Sequence, residues 1–147
     1  MKLSPNFTLA EFTASQTAAR MRIDNTAPDY ILPKLATTAA GLELVRTLLG
    51  DKPINISSGY RSGSLNLLCR GARDSQHMAG EAVDFSCKQF GGTDEIVRAI
   101  VNSDIPYDQV ISEYSNTSGG GWVHISFSLR NRLAALTIDA KGAREFV

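Results

Sequence analysis

Apolar positions along this chain recur with two different periods, and the switches between them divide the sequence into elements. Thr8 followed by Glu11 fits a capping box opening a helix over roughly Leu9–Arg20. After Pro28 a second helix is predicted from about Leu32 to Leu49, where Leu35, Leu42, Val45 and Leu49 recur at helical spacing and Gly50 is placed to stop the run. From Pro53 the pattern changes, and Ile54 and Ile56 alternate with polar neighbours as in a strand that runs into Ser57-Ser58-Gly59-Tyr60-Arg61-Ser62. Residues 62–76, rich in Gly, Ser, Asn and Arg, read as irregular structure at a surface or the mouth of a site. Glu81–Ser86 alternates again as a strand. Thr93 is placed to cap a helix with Asp94 and Glu95 in its first turn and Ile96, Val97, Ile100 and Val101 on its apolar side, ended by Pro106.

The next stretch predicts a β-hairpin, with Gln109–Tyr114 and Trp122–Phe127 as strands around a Gly-rich connection. With the turn centred on Ser118-Gly119, Val123, Ile125 and Phe127 oppose Tyr114, Ser112 and Val110 on one face. The other face then pairs His124 with Glu113, and a slip of one residue would separate them.

Composition narrows the class. The chain has 147 residues, 43% hydrophobic and 20% charged, with fifteen basic residues against fifteen acidic ones, as expected of a soluble single domain spanning 1–147. A zero net charge without a dense Lys/Arg run argues against nucleic acid as a partner. No stretch approaches the roughly twenty apolar residues of a membrane span, and the opening MKLSPNFTLAEFTASQ lacks the apolar middle of a secretory signal. The expectation is a monomer made in the cytoplasm and delivered to any outside target by another agent. Cys69 and Cys87, eighteen positions apart, read as two buried free thiols rather than a disulfide or a metal pair.

The chain has two histidines, His77 and His124. Asp84 follows His77 by seven residues with Gly80 between them, so a turn can fold His77 back over the strand that carries Asp84. His124 arrives from the hairpin. Two imidazoles and one carboxylate leave one position of a tetrahedral zinc ion open, which is the ligand count of a catalytic site. On spacing alone, a strand histidine hydrogen-bonded in the core remains the competing reading.

Ser75-Gln76-His77-Met78-Ala79-Gly80-Glu81-Ala82-Val83-Asp84 resembles the Ser-x-His-x-x-Gly-x-Ala-x-Asp signature of the zinc D-Ala-D-Ala carboxypeptidases, peptidase family M15. Trp122-Val123-His124-Ile125-Ser126 is similar to that family's second zinc motif, and Ser57–Ser62 with Asn66 to the segment bearing its active-site arginine. The opening from Phe7 through Asn25 resembles phage and prophage members. The resemblance covers roughly Phe7 to Phe127. It implies an α+β fold in which a small antiparallel sheet carries the zinc site and is flanked by N-terminal helices. It also implies Zn2+ held by His77, Asp84 and His124, and a peptidoglycan stem peptide as substrate.

Many family members place an acidic residue or histidine two or three positions before the final zinc histidine, where this chain has Trp122 and Gly121. Glu113, opposite His124 in the predicted hairpin, is therefore the expected proton shuttle, and a solvent-facing strand carboxylate is its alternative. Arg61 offers a fixed fork of donors to a substrate carboxylate or an oxyanion, with a loop arginine paired on the surface as the competing reading. Ser75 is expected to bind substrate or steady the His77 loop, or to be a plain turn serine, and Asp108 to orient a ligand histidine or simply to sit in a turn. Trp122 reads as a substrate wall or as core. The function expected is hydrolysis of an amide in the wall peptide by a phage or prophage lytic enzyme. The competing readings are a host remodelling carboxypeptidase and a zinc-stabilised binding module that needs no base.

Overall fold

The computed structural model describes residues 1–147. Strands β1 (Lys2–Ser4) and β2 (Phe7–Thr8) form a short antiparallel ribbon. Thr8 caps helix α1 (Leu9–Thr13) through the expected reciprocal bonds with Glu11. The helix then stops, and Ser15 caps a separate helix α2 (Gln16–Met21), so the continuous helix expected to Arg20 is broken at Ala14. Distant donors cause the break. The carbonyl of Phe12 accepts from the Tyr60 amide at 2.7 Å and that of Thr13 from the Asn25 side chain at 2.9 Å, which diverts them from helical partners.

A 3₁₀ turn at Asp29–Ile31 leads into α3 (Leu32–Leu48), which buries Leu35, Ala39, Leu42 and Val45 and ends where Gly50 takes φ 74°. Strand β3 (Asn55–Ser58) follows. The segment expected to be irregular contains a short helix α4 (Gly63–Leu68), which the Ser62 hydroxyl caps by accepting from the Leu65 amide and which buries Leu65 and Asn66. A single helical turn of this length shows no period in sequence. Next come β4 (Ala82–Ser86), α5 (Thr93–Val101), β5 (Gln109–Glu113), β6 (Trp122–Ser126), β7 (Ala134–Asp139) and β8 (Gly142–Glu145). The N-cap of α5 is Gly92 rather than Thr93, whose hydroxyl instead donates to the Gly120 carbonyl at 2.6 Å and ties the helix to the hairpin loop.

Six strands join in the order β3-β4-β6-β5-β7-β8. All neighbours are antiparallel except β5 and β7, so the main sheet is mixed rather than antiparallel as expected. The reason is the short connection after β6. Strand β6 ends beside the start of β5, and the chain crosses that end to begin β7 at Ala134 opposite Gln109, which forces β7 to run with β5.

The hairpin forms with a different register. His124 pairs with Ile111 and Glu113 with Trp122, so the connection Tyr114–Gly121 is centred between Thr117 and Ser118. The centre moves by one residue and the pairing by two, which keeps every side chain on its expected face. Tyr114, Gly120 and Gly121 take φ 54°, 78° and 67° to close the loop. A Cβ on Gly121 would collide with the Glu113 carbonyl.

Strand alternation then gives the sheet two unlike faces. Val83, Phe85, Val110, Val123 and Ile125 point into a core shared with α3 and α5. Asp84, Ile111, Glu113, Trp122 and His124 occupy the other face. Cys87 lies in the core, whereas Cys69, expected to be buried, is exposed after α4, and both thiols are free. No helix is long and apolar enough to cross a membrane.

Candidate metal centre

The polar face of β4, β6 and β5 forms the floor of a cleft of about 570 Å³. Asp84 and His124 are direct cross-strand neighbours, and Oδ1 of Asp84 lies 3.0 Å from Nδ1 of His124. His77 reaches the same oxygen from a tight turn, with its Nε2 at 3.3 Å. That turn is built by backbone bonds from Met78 to Ser75, Ala79 to Gln76 and Gly80 to His77, and Gly80 takes φ 75° to redirect the chain into β4. The buried Thr38 hydroxyl fixes the turn from below by donating to the Gly80 carbonyl at 2.7 Å.

One donor atom from each of His77, Asp84 and His124 lies within 4.8 Å of the other two. The chemistry of the set fits a cation. Nδ1 of His77 must donate to the Gly59 carbonyl at 2.7 Å, because that oxygen only accepts, and in the neutral ring this leaves the Nε2 lone pair facing a carboxylate oxygen. That pairing is favourable with a positive charge between the two atoms, which a proton on Nε2 or a metal cation supplies. The backbone contact is also the kind of outer partner that fixes a metal-ligating imidazole. Burial pushes the Asp84 carboxyl up, but the field and hydrogen bonds of His77 and His124 outweigh it and hold the group below the usual carboxylate range. The carboxylate is thus ionised at neutral pH, as a ligand must be.

Glu113 lies on the same face, diagonal to His124 across β5 and β6. Its Oε2 accepts from the indole Nε1 of Trp122 at 2.5 Å. Burial first, and then the negative charge of Asp84, raises its pKa above the ordinary glutamate value. Trp122 also packs on Tyr114, with ring centroids 5.5 Å apart, so it lines the cleft rather than the core.

Arg61 enters from the loop after β3. Its Nη2 lies 3.4 Å from Oδ2 of Asp84, and Nε and Nη1 donate to Ser58 and Asn66. The Ser75 hydroxyl accepts from the His77 amide at 3.2 Å while lining the cleft. Asp108 touches neither histidine. It is fully buried and accepts from Arg132 and from Gln76, the residue before His77. Hydrogen bonds from Arg132 outweigh its burial and hold its carboxyl well below the usual range, which makes it a poor proton acceptor.

The structure therefore brings Arg61, Ser75, His77, Asp84, Glu113 and His124 to one cleft. Sequence reasoning missed Gln76, Arg130 and Arg132 on its wall. The closely spaced arginines of Arg130-Asn131-Arg132 were the signal available.

A family model described as Peptidase M15 matches residues 5–126. A zinc D-Ala-D-Ala carboxypeptidase from Streptomyces albus G is 40% identical over 50 residues, which cover 34% of this chain and 20% of that protein. The matched segment thus spans about a fifth of that relative's length.

Proposed function

Since this chain belongs to the peptidase M15 family, we propose that it is a zinc peptidase that hydrolyses an amide bond in the peptide stem of bacterial peptidoglycan. The observation that carries the reading is the convergence of His77, Asp84 and His124 within 4.8 Å on the cleft floor, beside a carboxylate with raised proton affinity. The Streptomyces relative, named as a zinc D-Ala-D-Ala carboxypeptidase, supports both the metal and the substrate class.

His77, Asp84 and His124 are the residues that would hold the ion, His77 through Nε2 because its Nδ1 is committed to Gly59. Zinc bound there would polarise the scissile carbonyl and acidify a water molecule. Glu113 takes the proton from the attacking water and returns it to the leaving amine, a task helped by the burial that raises its proton affinity above that of an ordinary glutamate. Trp122 keeps that carboxylate turned into the cleft. Arg61 presents its guanidinium to the substrate carboxylate or to the developing oxyanion, and its long contact with Asp84 leaves it donors to give. Ser75 steadies the turn that aims His77 and stands within reach of substrate. The setting we propose is a lytic enzyme of phage or prophage type, supported by the likeness of the opening segment to such members.

The test is mass spectrometry of fragments released from purified peptidoglycan. The reading expects new peptide termini that appear with the zinc-loaded protein and vanish with a chelator. An unchanged fragment pattern under both conditions would refute it.

A further inference from the structure

Residues beyond the family match contribute to the cleft. The match ends at 126, yet Arg130 and Arg132, on the connection between β6 and β7, line the same cleft as His77 and Glu113. Asp108 holds this connection down. Arg132 takes both its oxygens, with Nε to Oδ1 at 2.8 Å and Nη2 to Oδ2 at 3.0 Å, and the Arg132 amide also donates to Oδ1. Gln76 donates to Oδ2 at 2.8 Å. The carboxylate is therefore fully engaged before Arg130 is considered. Arg130 reaches Oδ2 only at 3.4 Å, and 59% of its side chain is exposed. Two guanidiniums against one carboxylate leave one positive charge over, and it resides on the more loosely held Arg130.

Sheet order places that charge. Strand β3 lies on one side of the β4-β6-β5 strands that carry the metal-binding set, and β7 lies on the other. Arg61 follows β3, and Arg130 precedes β7, so the two guanidiniums flank the site. Four interstrand steps of about 4.8 Å separate the two flanking strands, on the order of 19 Å before the side chains reach inward. An extended peptide laid across the floor meets a cation at each side.

We propose that Arg130, carried on the Arg132–Asp108 anchor, is a second carboxylate-binding position that selects substrates bearing a free carboxylate a few residues from the one held by Arg61. In a wall stem peptide this is the free carboxylate of the glutamyl residue. The inference deepens the peptidase reading and rests on it for the identity of the substrate.

The experiment uses two synthetic stem peptides that differ only in carrying a carboxylate or a carboxamide at the glutamyl position. Hydrolysis by the zinc-loaded full chain is compared with Arg130→Ala and Arg130→Lys, and equilibrium binding of both peptides is measured by calorimetry in a Glu113→Gln background, with and without Arg130→Ala. The expected result is a preference for the carboxylate peptide of roughly tenfold, as for a charge-assisted hydrogen bond, expressed in KM and in binding more than in kcat. The preference disappears in Arg130→Ala and is partly kept in Arg130→Lys. Hydrolysis of both peptides without preference, or a preference unchanged in Arg130→Ala, would overturn the second site while leaving the peptidase reading intact. Arg130-dependent binding without hydrolysis would sustain the site and overturn the peptidase reading. Absence of both binding and hydrolysis would overturn both.

Discussion

The indole N–H of Trp122 donates to the Glu113 carboxylate at 2.5 Å, from the position directly opposite it on the neighbouring strand. The residue two before His124 thus holds a carboxylate where many family members carry the acid or histidine itself. Glu113→Gln keeps the shape and a hydrogen-bond acceptor but removes the basic group. The rate should fall by roughly 10²–10⁴, with zinc content and melting temperature close to the parent's. A rate within about threefold of the parent, far short of that loss, would exclude Glu113 as the shuttle.

Trp122→Phe tests the same contact from the other side. The indole hydrogen bond favours the ionised carboxylate, opposing burial and the Asp84 charge that raise its pKa. Without that bond the pKa rises further. A base is lost as pH falls through its pKa, so the acid limb of the kcat/KM profile should move to higher pH. An acid limb that stays in place would contradict this role for the indole.

Ligand and substrate roles separate by metal analysis. His77→Ala, Asp84→Ala and His124→Ala should each lower bound zinc, whereas Arg61→Ala should retain it and lose turnover. Undiminished zinc in the His124 variant would remove that residue from the proposed ligand set.

The Asp108 cluster sets an acid-sensitive part of the stability. Hydrogen bonds from Arg132 depress the folded-state pKa of Asp108 well below that of an ordinary aspartate. The stabilisation is therefore fully present above about 4 and is lost as pH falls through the folded value. Asp108→Asn should lower stability near neutral pH by about 1–3 kcal/mol, less than a fully buried pair because its arginine partners are half exposed. The deficit should shrink below pH 4. Urea unfolding at several pH values checks this, and a deficit independent of pH would contradict it.

What could be read in the sequence follows from the range of the interactions involved. Strand alternation was enough to put Glu113 and His124 on one face of the hairpin, because a two-residue register error preserves faces, whereas the pairing that sets Asp84 beside His124 joins strands forty residues apart and left no local pattern. Alternation could not fix the hairpin pairing, since a loop containing three consecutive glycines has no unique centre. The break at Ala14 depends on Tyr60 and Asn25 claiming carbonyls of α1, partners that no local pattern reveals. Arg130 and Arg132 acquire their place through Asp108, a contact between segments distant in sequence. The mixed sheet likewise depends on where the connection after β6 crosses, which hydrophobic period does not encode.

Hydrolysis of wall peptide is proposed to depend on one zinc ion held by His77, Asp84 and His124. The most direct measurement is a titration of metal-free protein with zinc, in which bound metal and release of peptidoglycan fragments are followed together. The metal-free protein should show no turnover, and turnover should rise linearly with zinc and level off at about one bound ion per chain, as for a single three-ligand site. Full turnover before any zinc is added, or zinc bound at that ratio with no release of fragments, would contradict it.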